Sequence, residues 1–224
     1  MKRSNEATRA ISGKQDKKQQ ILGSALQLFV EQGFYATSTA SIARHAGVAT
    51  GTLFHHFSSK EILMDQLFLA IKTEFADAIS ASLPKAPATT TELPQRAEML
   101  WQAGLDWALA QPLKLSFFVQ YAMSPSVSEA VRQQAMHGIL GFITELLEQG
   151  INQGVLADLP RELLLETCHS QFLAAARFFC NQPQKATREA RNASFRLFWR
   201  GVAAYPFGVK IQWQPGTCRL KSAF

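Results

Sequence analysis

The sequence predicts an all-α protein of about nine helices. Apolar residues recur at three- and four-residue spacing from Ile21 to about Ala204. Gly and Pro interrupt that pattern where helices need ends. No stretch alternates like a strand before Lys210-Ile-Gln-Trp213, which is short. No internal repeat is visible.

Residues 1–15 are polar and read as a mobile arm, with Arg9, Lys14, Lys17 and Lys18 placed to follow a groove or a phosphate track. Asp16 and Gln19 suit the start of the first helix. Ile21, Leu22, Ala25, Leu26 and Phe29 form its apolar face, and Gly33 ends it. A second helix follows Ser38 as N-cap, turns Ile42 and Ala43 inward and stops at Gly47, where a left-handed residue is wanted. Thr50 is placed to cap a third, from Gly51 to about Phe57, with Leu53 and Phe57 on one face. Ser58 with Glu61 fits a capping box for a fourth, from about Ser59 to Ser82. Its stripe is Leu63, Leu67, Ile71, Phe75 and Ile79, flanked by Ile62, Phe68 and Ala78.

Pro84, Pro87 and Pro94, with Thr89-Thr90-Thr91 between them, make a linker. Helices are then expected over about 95–109 and 113–122. Ser124-Pro125-Ser126 should cap a long one over about 127–153, whose continuity Gly138, Gly141 and Gly150 weaken. Asp158-Leu-Pro160 opens a helix to about Cys180, Asn181-Gln-Pro183 is a turn, and the last helix covers about 186–204. Pro206, Gly208, Pro215 and Gly216 break the pattern beyond Tyr205.

Composition narrows the class. Of 224 residues, 47% are hydrophobic, which supports a packed core and argues against disorder. No apolar run approaches the roughly 18 residues a membrane span needs. The N-terminus has basic residues without an apolar core, unlike a secretory signal. Cys168, Cys180 and Cys218 lack metal spacing and read as reduced thiols of a cytoplasmic protein. Charge is uneven. Residues 1–60 carry eight Lys or Arg against three acids, a net +5, out of +6 for the whole chain. That excess is the footprint of a phosphate-binding domain.

Two short helices joined by a Gly-containing turn, the second bearing small polar and aromatic groups, describe a helix-turn-helix over about 38–57. The segment from about Lys17 to Phe75 resembles the DNA-binding domain of the TetR (tetracycline repressor) family. The matching residues are Ile21-Leu22, Ala25, Leu28-Phe29, Gly33-Phe34, Thr37-Ser38, Ile42-Ala43, Ala46-Gly47-Val48, Gly51-Thr52-Leu53-Phe54, His56-Phe57 and Lys60-Glu61. The resemblance implies a DNA-binding domain over 15–75, an effector-binding and dimerisation domain over 76–204, and an irregular tail over 205–224.

It also implies site residues. Thr50, Gly51, Thr52, His55 and His56 would face the major groove, with Thr52 on a base edge or a thymine methyl. Thr39 and Arg44 would lie near the backbone. Lys60, whose charge opposes its helix dipole, would hold a phosphate, so Lys60→Ala would flatten the salt dependence. Phe54 stands where the family usually has Tyr, so a phenol is missing. His55 and His56 point about 100° apart, which excludes a shared metal. No cofactor and no catalytic residue is expected.

In the second domain Trp101, Phe117, Tyr121, Phe142 and Phe172, with Gln120 and His137 as polar anchors, are the candidates for a pocket holding a small hydrophobic or aromatic effector. Leu164, Cys168, Phe172, Ala175, Phe179, Phe195, Phe198 and Val202 on the last two long helices fit a homodimer interface. The function implied is a ligand-released repressor on a palindromic operator of duplex DNA. The competing classes are an effector-independent architectural or cell-division factor and a helical enzyme. The scattered His137 and His169 give an enzyme no converging acid, base or nucleophile.

Overall fold

The computed structural model describes residues 2–85, 89, 92–122 and 124–204, with side chains from residue 16 onward. The strand expected at 210–213, the tail 205–224, Cys218 and the side chains of Arg9 and Lys14 lie outside the described residues.

The described residues form ten α-helices: α1 (Lys2–Gln32), α2 (Thr39–His45), α3 (Thr50–His56), α4 (Lys60–Ser80), α5 (Leu93–Ala110), α6 (Pro112–Tyr121), α7 (Glu129–Gln133), α8 (Gly141–Asn152), α9 (Arg161–Asn181) and α10 (Arg188–Val202). A π-helical segment, Gln134–Ile139, joins α7 to a break at Leu140, and a 3-10 turn precedes α10. The one β feature among the described residues is an isolated bridge between Leu156 and Ala203, which seats the end of α10 on the α8–α9 loop.

The first three helices pack on each other, and α1 packs on α4. Ile21, Phe29, Ile42, Leu53, Phe57 and Leu63 are wholly buried there. Each such side chain contributes about 1.5–3 kcal/mol. Gly33 at φ 84° and Gly47 at φ 66° end α1 and α2 in the left-handed conformation that glycine adopts without a Cβ clash. The hydroxyl of Thr37, itself buried, donates to Gly33 O at 2.8 Å and fixes the loop between α1 and α2. Ser38 caps α2 in a capping box completed by Ser41.

Four expectations are corrected. Helix α1 begins at Lys2, so Asp16 does not start it and the stretch before it is helical and not a separate arm. The cap of α3 is Ala49, in extended conformation and without a side-chain bond, which leaves the Thr50 hydroxyl uninvolved in capping. Helix α4 is capped by Ser59, whose oxygen accepts from Ile62 N, one residue later than the Ser58–Glu61 box required. The long helix over 127–153 is broken. Its cap is Ser128, and Leu140 N donates five residues back to Ala135 O at 3.0 Å. That wider turn, close to Gly138 and Gly141, is a π-type insertion that reorients the chain before α8. Gly150 does not weaken α8. A Cβ there would come within 2.6 Å of Leu156 Cδ1, so its role is close approach.

Helix α4 packs against both α1 and α5. Its stripe of Leu63, Leu67, Ile71, Phe75 and Ile79 is buried, whereas Ile62 and Ala78 are exposed. Lys72, which the apolar pattern does not mark, is also buried.

Candidate nucleic-acid interface and the core behind it

The surface of α2 and α3 is built on two buried anchors. Leu53 and Phe57 turn inward, so the other side of α3 is left outside. Thr50, Gly51, Phe54 and His55 are exposed, and Thr52 and His56 are partly so. The His55 and His56 rings stand 5.5 Å apart, edge to face. On α2, Thr39 is partly exposed and Arg44 is exposed. His45, beside it, is held by Ser24 Oγ at 3.0 Å from its Nδ1. Phe54 is 47% exposed, an apolar ring half in solvent. Tyr35 is the residue that sequence reasoning missed. It is 80% exposed at the tip of the α1–α2 loop, braced edge-on by Phe34. The signal was an aromatic beside Gly33-Phe34, where burial was expected for one ring only.

Lys60 has partners that its place in the sequence does not show. Its Nζ donates to Phe34 O at 2.9 Å and to Thr37 O at 3.0 Å, and lies 4.3 Å from the centre of the Phe34 ring. Two of its three N–H groups therefore close the α1–α2 loop onto the first residue of α4. The helix dipole marks this charge as unusual but says nothing of its neighbours, because both carbonyls sit more than twenty residues away in sequence.

Behind this surface a series of aromatic contacts runs through the molecule. Phe29 of α1 meets Tyr121 of α6, which packs on Phe117. Phe118 packs on Phe68 and Phe75 of α4. Phe75 meets Phe172 of α9, and Phe172 meets Trp101 of α5. Trp101 stacks on Phe198 of α10 at 4.7 Å. Polar bonds fasten the series at both ends. Tyr121 Oη donates to Phe29 O at 2.7 Å, and Trp101 Nε1 to Ser194 Oγ at 3.0 Å.

These contacts redistribute the expected pocket residues. Trp101, Phe117 and Tyr121 are core, while Phe142 and Phe172 are partly exposed. Gln120 and His137 are exposed and are not internal anchors. Gln120 Nε2 instead donates to Val30 O at 3.3 Å across the α1–α6 contact. His137 lies in the π-helical segment, whose wider turn places it outward. A groove of about 590 Å³ between α5 and α10 is lined by Gln95, Glu98, Met99, Gln102, Arg188, Arg191 and Asn192, none of them expected pocket residues. Arg191 is engaged there with Gln102 and Asp106.

Lys72 lies at the centre of this core. It is 2% exposed. Its Nζ sits 4.5 Å from the Phe118 ring centre and 5.8 Å from that of Phe68. Its polar neighbour is His169 Nε2 on α9, at 3.5 Å. Among the described residues no carboxylate forms an ion pair with it. Burial lowers the ammonium pKa from 10.5 to about 8. Burial, and then the Lys72 charge, lower that of His169 from 6.5 to about 3, so the imidazole is neutral at pH 7. The thiol of Cys168 is raised to about 11 by burial, which makes it unreactive.

Two short helices crossing at a glycine turn, braced by a third and continued into a helical bundle, define a helix-turn-helix DNA-binding protein. Residues 21–67 match the family model described as bacterial regulatory proteins, tetR family. A transcriptional activator, FasR of Mycolicibacterium smegmatis, is 31% identical over 194 residues, 85% of each chain. The fatty acid metabolism regulator protein of Bacillus subtilis is 25% identical over 161 residues, 69% of this chain and 80% of that one. The crystal structure of a TetR family regulator from Shewanella sp. PV-4 is 58% identical, with a TM-score of 0.80 over 84% of this chain and 99% of the other. The chain belongs to the TetR family, and it is a DNA-binding transcriptional regulator.

Proposed function

We propose that the protein is a ligand-released repressor that binds a palindromic operator as a homodimer, with one α3 per half-site. The observation that supports this most is the double attachment of α4. Its first residue is clamped to the α1–α2 loop through Lys60, and Phe75, further along, lies among the rings that reach α5, α6 and α9. A ligand that moves the rings moves α4, and α4 carries the reading helix with it. The change in half-site spacing is then the coupling free energy between ligand and operator.

In this reading Thr50, Gly51, Thr52, His55 and His56 face the major groove, and Thr39, Arg44 and Phe54 flank it along sugar and phosphate. Tyr35 supplies, from the loop, a phenol of the kind that Phe54 lacks. The effector has a hydrophobic or aromatic body. The aromatic surroundings favour that, and so does the name of the Bacillus subtilis relative, a regulator of fatty acid metabolism.

The homodimer uses the outer faces of α9 and α10. Five of the residues expected there, Leu164, Phe179, Phe195, Phe198 and Val202, are already buried within one chain. The apolar residues left outside are Leu163 at 55%, Phe178 at 45% and Leu197 at 75% exposure, with Ala174, Ala193 and Gly201 among them for close approach.

Selection of bound duplexes from random DNA is the test. An enriched palindrome supports the dimeric reader, and its loss on adding an effector supports release. An operator affinity that no ligand alters leaves an effector-independent DNA-binding factor. The name of FasR, an activator, favours a second reading, in which the same contacts recruit transcription. A reporter whose output falls when this gene is deleted would establish it.

A further inference from the structure

We infer that the effector carries a carboxylate head group, held by Lys72 and His169 in the core between α4, α6 and α9. The inference rests on the ligand-responsive reading above and specifies the chemistry of that ligand.

An ammonium among Phe68, Phe118 and a neutral imidazole has too little company. Buried charges are ordinarily paired and hydrogen-bonded, because transfer from water otherwise opposes burial strongly. The Lys72 ammonium has three N–H donors. The acceptor it meets is one nitrogen at 3.5 Å, near the limit for a hydrogen bond. The two ring faces provide cation–π attraction and accept no further N–H bond of ordinary strength.

The same chain shows what a satisfied lysine looks like. Lys60, also on α4, has two carbonyls at 3.0 Å or less besides its ring. Folding alone would be served by Met or Leu at position 72, within the stripe of Ile71, Phe75 and Ile79. A lysine retained there without a counter-charge is a receptor for an anion that arrives from outside.

The geometry limits that anion. His169 is partly exposed, so the ammonium lies one side chain from a residue that solvent reaches. An oxygen placed between the two groups accepts from Lys72 Nζ. With the imidazole as its Nε2–H tautomer, His169 donates to the second oxygen. Two donors about 3.5 Å apart suit the two oxygens of a single carboxylate. Phe118 at the ammonium, with Phe75 packed on it and Phe172 on Phe75, suits an apolar body behind the head. Phe172 is the ring that must give way. It lies so close to Gly104 that a Cβ there would stand 2.7 Å from the ring edge.

The test is calorimetric titration of the protein with decanoate and phenylacetate, and with decanol and phenylacetamide as neutral counterparts. The wild-type protein is expected to prefer the carboxylate of a pair by about tenfold or more, as a charge-assisted bond implies. Lys72→Met should remove the preference while leaving decanol binding in place. His169→Phe should reduce the preference in part. The wild-type comparison stands whether or not either variant folds.

Equal affinity for acids and neutral counterparts would overturn the inference and leave a ligand-released repressor intact. So would a preference that survives in Lys72→Met, or a wild-type protein that binds no carboxylate. Carboxylates that bind through Lys72 without changing operator affinity would support the receptor and overturn the release mechanism instead.

Discussion

Two lysines on α4 carry the same charge into opposite surroundings. At the start of the helix, Lys60 meets two backbone carbonyls and a ring face. Twelve residues on, roughly 18 Å along the helix axis, Lys72 meets two ring faces and a long contact to an imidazole. The first lysine completes hydrogen bonding that the loop between α1 and α2 needs. The second is enclosed by groups that solvate it poorly. Only the surroundings decide that one stabilises the fold and the other opposes it. A region built to hold shape satisfies its polar atoms, while a region built to receive something leaves one open.

The largest effect should come from titrating Lys72. Its folded pKa, about 8, lies below the 10.5 of the free side chain. Between those values the unfolded chain binds more protons, so stability rises as pH rises through that window. The span corresponds to on the order of 3 kcal/mol, and Lys72→Met should abolish the rise and melt above the wild type at pH 7. Melting curves from pH 7 to 10.5 are the measurement, at fixed protein concentration because a dimer's midpoint depends on it. A flat wild-type profile would mean that the Lys72 charge is compensated after all. His169 adds an acid limb. Its folded pKa, about 3, lies below 6.5, so stability is lost as pH falls from 6.5 towards 3, and less steeply once Lys72 is replaced.

Lys60→Met should move the melting point the other way. It orphans the carbonyl of Thr37 and leaves that of Phe34 with the Thr37 N–H at 3.3 Å alone, both on buried residues, and a loss of about 2 kcal/mol is expected. If both lysine variants melted lower, the contrast between the two sites would fail. Leu197→Glu should leave the protomer folded and shift the sedimenting species towards monomer, because Leu197 is 75% exposed and supports nothing within its own chain.

The reading half was more legible in the sequence than the core behind it, and for a physical reason. Glycine stops and the inward pair Leu53 and Phe57 are decided by residues three or four apart, so Gly33, Gly47 and the Ser38 cap could be placed without a third dimension, while the caps of α3 and α4 fell one residue from where the pattern put them. What Lys60 touches, and which apolar face of α9 is already covered by α5 and α10, depends on contacts about 20 to 100 residues away, as the Trp101–Ser194 bond does. Periodicity marks a face as apolar without saying whether its partner belongs to the same chain. The break at Leu140 was half visible, since glycines weakened the helix there, and the π geometry that followed was not. Lys72 was hidden for the opposite reason. A lysine in a helix reads as solvated, and only burial reveals the anomaly.

The smallest effect separates the clamp from a phosphate contact at the reading surface itself. Arg44 is exposed on the last turn of α2, and Arg44→Ala should weaken binding to all sequences and reduce the slope of log affinity against log salt by about 1. Thr52→Ala should leave the slope alone and relax discrimination by about 1 kcal/mol at one base position. Lys60→Met should resemble neither. With two of its N–H groups on carbonyls, its removal loosens the seat of α2 and α3, lowers affinity for every sequence and leaves the slope close to that of the wild type. A slope that fell by the same unit as for Arg44→Ala would return Lys60 to the phosphates, and α4 would then be coupled to the operator directly and not through the loop.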